Sequence, residues 1–146
     1  RMREIVELAK PMEVTFHRAF DMCRDPFTAL EQLIDIGVLR ILTSGGKNKA
    51  TDGLDMILSL VQKANNRIVI MPGSGINEQN FKDVINKTNA LEFHSSAKMF
   101  EPSKMNYFNK NINMGGQNSN DEYRKVSVNP KSIQKMVEIL REKHIE

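Results

Sequence analysis

At 146 residues, with 40% hydrophobic and 27% charged side chains, the chain has the length for one domain with a real core and the balance of a globular protein. Its net charge of +3 comes from 21 basic residues scattered among 18 acidic ones. That pattern, without a basic block, argues against nucleic acid or a membrane surface as partner, and no apolar run approaches the ~20 residues of a membrane span.

The chain starts at Arg1, and Met2, Ile5, Val6 and Ala9 already share one helical face. This reads as a helix entered part-way and the chain as a piece of something longer, so any targeting segment would lie upstream. Lys10-Pro11 ends that helix, because proline cannot continue it. The first strand is expected over Glu13–His17, with Val14 and Phe16 as its apolar members. Asp25-Pro26 has the form of an N-cap followed by proline at the first helical position. Leu30, Leu33 and Ile34 form the buried face of that helix, which stops at Gly37.

A second strand follows at Arg40–Thr43. A third helix carries Leu54, Ile57, Leu58 and Val61 at the spacing of one apolar stripe. Arg67–Met71 holds a β-branched run, Ile68-Val69-Ile70, suited to a strand covered on both faces. Asn77 is the expected cap of the fourth helix, with Phe81, Val84 and Ile85 facing inward, and Glu92–His94 is the fourth strand. Lys98–Glu122, with Gly115-Gly116, then reads as one long loop. Asn129-Pro130 caps a last helix whose inner face is Ile133, Met136, Val137 and Leu140. The triplet Asn86-Lys87-Thr88 matches a glycosylation sequon, a pattern common by chance.

Four strands alternating with helices, about 25 residues apart, make an α/β fold of parallel strands with right-handed crossovers. Two closures remain, an open doubly wound sheet and a (β/α)8 barrel. A barrel typically needs about 250 residues, so four βα units are half of one. The leading helix without a strand before it suits the C-terminal half. The expectation is therefore a single domain, residues 1–146, forming the C-terminal half of a TIM-type barrel.

In such a sheet all strand ends face one rim, where α/β proteins build ligand sites. The rim candidates are His17, Arg18, Thr43, Ser44, Gly73, Ser74, Gly75, His94 and Ser96. The Pro72-Gly73-Ser74-Gly75 turn lets backbone approach an anion, and Ser44-Gly45-Gly46 is a lesser version of it. The adjacent His94 and Ser95 are placed to wall a pocket rather than to act as nucleophile and base. Cys23 and Met22 are soft donors of the kind Cu(I) takes, and Met99, Met105 and Met114 could add to them; the alternative is ordinary packing and surface methionine. The lone cysteine favours a reducing compartment and excludes an internal disulfide framework.

Four stretches in register resemble the copper homeostasis protein CutC family. They are Val14-Thr15-Phe16-His17-Arg18-Ala19-Phe20-Asp21, Arg40-Ile41-Leu42-Thr43-Ser44-Gly45, Ile68-Val69-Ile70-Met71-Pro72-Gly73-Ser74-Gly75-Ile76 and Glu92-Phe93-His94-Ser95-Ser96-Ala97. The resemblance implies a TIM-type barrel, a cytoplasmic location with the nucleus as a second one, and a role in copper tolerance or trafficking through Cu(I). It also implies that the cysteines linked with copper lie in the N-terminal half, outside this sequence. Ser74 stands where the family carries glycine, which strains the loop if that position needs a positive φ. Two functions are carried forward: copper binding, and a binder or enzyme for a small anionic or phosphorylated metabolite at the rim, with no reaction class assigned. Expected partners are the copper ion or the anionic ligand, and a homo-oligomer in the full-length form. The piece alone exposes strand edges and is expected to self-associate.

Overall fold

The three apolar runs that end at Phe16, Thr43 and Pro72 lie side by side as parallel strands in the computed structural model, which describes residues 1–109, 111 and 123–143. β1 (Thr15–Phe16), β2 (Arg40–Thr43) and β3 (Val69–Pro72) follow in spatial order, with Phe16 beside Ile41 and Ile41 beside Ile70. The expected strand at Glu92–His94 is reduced to one parallel bridge between Gly73 and His94. Its fourth place is kept, since His94 N donates to Pro72 O at 2.9 Å just as Gly73 N donates to Thr43 O. The β1 run is likewise shorter than expected, and β3 starts two residues later and ends one later.

The chain returns through α1 (Met2–Ala9), α2 (Pro26–Asp35), α3 (Leu54–Ala64) and α4 (Phe81–Thr88), with short 3₁₀ turns at Arg18–Met22 and Ala50–Asp52. Ile41 and Ile70 turn to the helix side of the sheet and meet Leu30, Leu33, Ile57, Leu60, Val84 and Ile85, all of them buried. Each such side chain contributes about 1.5–3 kcal/mol by leaving water. Residues of opposite parity, Arg40, Leu42, Val69 and Met71, occupy the other face and are half-exposed.

The caps follow local chemistry. Asp25 Oδ1 accepts from Phe27 N at 3.0 Å and Thr28 N at 3.2 Å, as its pairing with Pro26 foretold. Asn77 does not cap α4. Its carboxamide accepts from Gln79 N and Asn80 N in a turn before the helix, which starts only at Phe81. Thr88 of the sequon is fully buried in α4 and donates to Val84 O at 2.7 Å, so this triplet is part of the helix packing.

The largest difference from expectation is the stretch after the sheet. Lys98–Glu122 does not begin as loop: β4 (Lys98–Pro102) pairs antiparallel with β5 (Arg124–Val128). Met114 and Gly115-Gly116 lie outside the described residues. The hairpin escaped notice because its strands carry lysine, glutamate and proline and are separated by more than twenty residues, so neither a compact turn nor an apolar run marks them. α5 (Pro130–Lys143) then packs on α4, capped by Asn129 Oδ1 from Lys131 N at 3.1 Å and tied by Lys143 Nζ to Ile85 O at 2.9 Å. Of its apolar stripe Met136 is buried, whereas Ile133 and Val137 stay 42% and 40% exposed. Along α1 only Val6 is buried, and Ile5 faces solvent.

Candidate functional site

Because the strands are parallel, every rim candidate sits at one end of the sheet. They do not form one pocket. Strand alternation divides them between two faces.

On the helix side a residue outside the candidate set holds the structure together. Asp21 leaves the 3₁₀ turn after β1 and places its carboxylate, 6% exposed, against the end of β2. Oδ1 accepts from Thr43 Oγ1 at 2.5 Å and from Ser44 N and Gly46 N at 3.1 Å each. Oδ2 accepts from Ser44 Oγ at 2.9 Å and Arg18 Nε at 2.8 Å. Arg18 Nη2 goes on to Ser44 Oγ at 2.8 Å and Lys47 O at 3.0 Å. Burial pushes the Asp21 carboxyl up, but the hydrogen bonds from Thr43, Arg18, Gly46 and Ser44 outweigh it and hold the group below its ordinary value.

The Ser44-Gly45-Gly46 turn therefore does bind an anion, and the anion is the chain's own. Arg18, Thr43 and Ser44 are spent on it. The turn closes tightly: a Cβ on Gly45 would stand 2.4 Å from Gly53 O, so only glycine allows the start and end of this loop to cross.

Behind this network, between the loop and α3, lies a cavity of about 500 Å³ lined by Asp21, Cys23, Thr43, Asp52, Asp55, Met56 and Leu60 among others. Cys23 is half-buried there; desolvation pushes its thiol up, and the nearby Asp25 and Asp21 charges add to that. Met22 turns away and is 86% exposed. No group of three His, Cys, Asp or Glu side chains with metal-binding geometry occurs among the described residues. The two soft donors thus form no preassembled copper site by themselves. Met99 is half-buried in β4 and Met105 is 54% exposed, and neither lines the cavity that holds Cys23.

The other face carries His17, Gly73 and His94. His17 is still extended at φ −82°, ψ −171°, so it alternates away from Phe16 onto the face of Thr15 and Arg40. Its Nδ1 accepts from Ala19 N at 2.9 Å. His94 lies over Gly73, where an added Cβ would come 2.5 Å from Leu42 Cδ1 and 3.2 Å from His94 Cβ. The missing side chain is what lets the imidazole lie against the sheet. His94 and Ser96 are exposed, and their side chains have no hydrogen-bond partner among the described residues. Ser95, by contrast, donates to Ile76 O at 2.6 Å, so no serine–histidine pair forms.

Ser74 has φ +85°, the positive value that the resemblance anticipated as a strain for a non-glycine residue. Its Oγ donates to Asn48 O at 2.7 Å, and its carbonyl accepts from Ala50 N at 3.0 Å. These bonds lace the two glycine turns together and bring the Lys49 stem against Gly75.

A family model described as the CutC family matches residues 1–99, which include every rim candidate. The chain belongs to the CutC family. A CutC family protein of Parabacteroides distasonis is 48% identical over 132 residues, covering 90% of this chain and 54% of the relative. The copper homeostasis protein cutC homologs of mouse and human are 44% and 43% identical over 119 residues, covering 82% of this chain and 44% of each relative. Among solved structures, that of CutC from Streptococcus agalactiae aligns with a TM-score of 0.56 at 32% identity, over 63% of this chain and 48% of that one. The chain spans about half the length of the relatives it matches. The family match ends inside β4, so most of the hairpin and all of α5 lie beyond it. No helix among the described residues is long and apolar enough to cross a membrane.

Proposed function

We propose that this chain is the C-terminal part of a copper homeostasis protein and supplies four βα units of a (β/α)8 barrel. The observation that carries the reading is family membership at more than 40% identity with relatives named for copper homeostasis, together with parallel strands whose polar ends share one rim. Disrupting the gene for this chain should raise sensitivity of its cell to copper salts, and re-expression should restore tolerance. Unchanged growth across a copper series would retire the reading. Cys23 and Met22 are the soft donors proposed for Cu(I) on this chain. In competition with a chromogenic Cu(I) chelator, Cys23→Ser is expected to lose what capture the chain shows.

A second reading concerns what the rim itself binds. Among the described residues its unpaired side-chain groups are the His94 imidazole, the outer nitrogen of His17, the Ser96 hydroxyl and lysine ammonium groups, which suit an oxygen-bearing anion better than a soft metal. A thermal-shift screen with phosphorylated sugars and carboxylates tests this, since a ligand stabilises in proportion to the logarithm of its excess over Kd. No stabilisation across the panel would remove it.

A further inference from the structure

The face bearing His17 and His94 has a chemical polarity that its residue types alone do not reveal. The Ala19 N–H must donate, so His17 Nδ1, 2.9 Å away, must hold a lone pair. A neutral imidazole then carries its one proton on Nε2. That N–H has no partner among the described residues, and the ring is exposed on the free face of the sheet, at the C-terminal end of β1. A metal needs a lone pair at the nitrogen it binds. For Nε2 to offer one, the proton would have to move to Nδ1, which would set two N–H groups against each other and break the Ala19 bond. The backbone thus prepares His17 as a donor and disfavours it as a ligand.

We propose that His17 Nε2–H is a fixed hydrogen-bond donor that holds an oxyanion, the shared chemistry of phosphate and carboxylate groups, at the C-terminal end of β1. The inference rests on the second reading above and deepens it. The space over Gly73, two strands away, is already taken by Leu42 and His94, so the donor at His17 stands apart from it. Lys49, its stem packed 3.2 Å from where a Gly75 Cβ would stand and its ammonium unpaired among the described residues, adds positive charge elsewhere on the same rim. Arg18 contributes less than its sequence position implied, because its guanidinium already serves Asp21 and Ser44.

The test is nitrogen-15 NMR of the imidazoles of this chain at slightly alkaline pH, followed by titration with inorganic phosphate and, separately, malonate. The expected spectrum shows His17 as the Nε2–H tautomer before any probe is added. Its Nε2–H resonance should then shift with one or both probes, and His17→Ala should weaken that binding about tenfold, the loss expected of one hydrogen bond to a charged acceptor. Response to phosphate alone marks a phosphoryl ligand, and response to malonate alone a carboxylate. A His17 that is protonated on Nδ1 in the neutral ring overturns the assignment without any ligand. Shifts at His94 and Gly75 with His17 unmoved overturn it while leaving the rim reading intact. Silence of the whole rim toward both probes overturns both.

Discussion

Asp21 is the residue on which the strand ends depend most. Its two oxygens gather Thr43, Ser44, Gly46 and Arg18 at once. Asp21→Asn keeps the shape but turns one acceptor into a donor facing other donors. It should cost about 2–4 kcal/mol, the range for a hydrogen-bonded charge losing its network. The pH dependence follows from the sign of the shift. The carboxyl is held below its ordinary value of 3.8, so its contribution is full above that value and disappears as pH falls through the lower folded one. Urea unfolding at a series of pH values should show the gap between wild type and Asp21→Asn closing below about pH 4. Ser74 offers a second residue-scale test. Ser74→Ala keeps the positive φ and loses the bond to Asn48 O, and should destabilise by about 1 kcal/mol. Ser74→Gly loses the same bond but relieves the backbone, and should fall within about 1 kcal/mol of wild type. Denaturant midpoints in that order confirm the strain; the reverse order denies it.

At the scale of elements, helix packing against one face of the sheet dominates. Leu30 of α2 is fully buried between α2 and the sheet, and Leu30→Ala should cost about 2–5 kcal/mol through lost transfer energy and a cavity. Asp25→Ala, which removes an exposed cap from the same helix, should lower the melting temperature by less. Melting curves of the two variants would rank burial against capping. The helices and the Asp25 and Asn129 caps were legible because each depends on residues within a turn or two of chain, whereas Asn77 was spent on a turn ahead of α4. The hairpin was not legible, because β4 and β5 find each other across a long separation and neither shows a clean alternation of apolar and polar residues. The fourth strand shrank to a bridge for a related reason: its short run contains no β-branched residue and has a strand neighbour on one side alone among the described residues.

At the scale of the molecule, a parallel sheet with helices on one face is unusual, since such sheets are generally covered on both. Here Leu42 and Met71 stay half-exposed on the second face, and β1 is an edge. The chain alone should therefore self-associate, its weight-average mass in sedimentation experiments rising with concentration above that of the monomer. A cooperatively folding species that stays monomeric at high concentration would contradict this.

The sequence by itself determined the α/β alternation, the direction of the strands, the Asp25 cap and the collection of polar and glycine residues at one rim. These follow from short-range periodicity and from the near-obligatory hand of βα crossovers. Tertiary structure alone decided how the rim is divided. Asp21 fills the Ser44–Gly46 turn from 23 residues away, Arg18 follows it, and His17 and His94 are left on the opposite face. That outcome depends on which loops come to lie side by side, and a carboxylate in the neighbouring loop competes for an anion-binding turn as well as any ligand does.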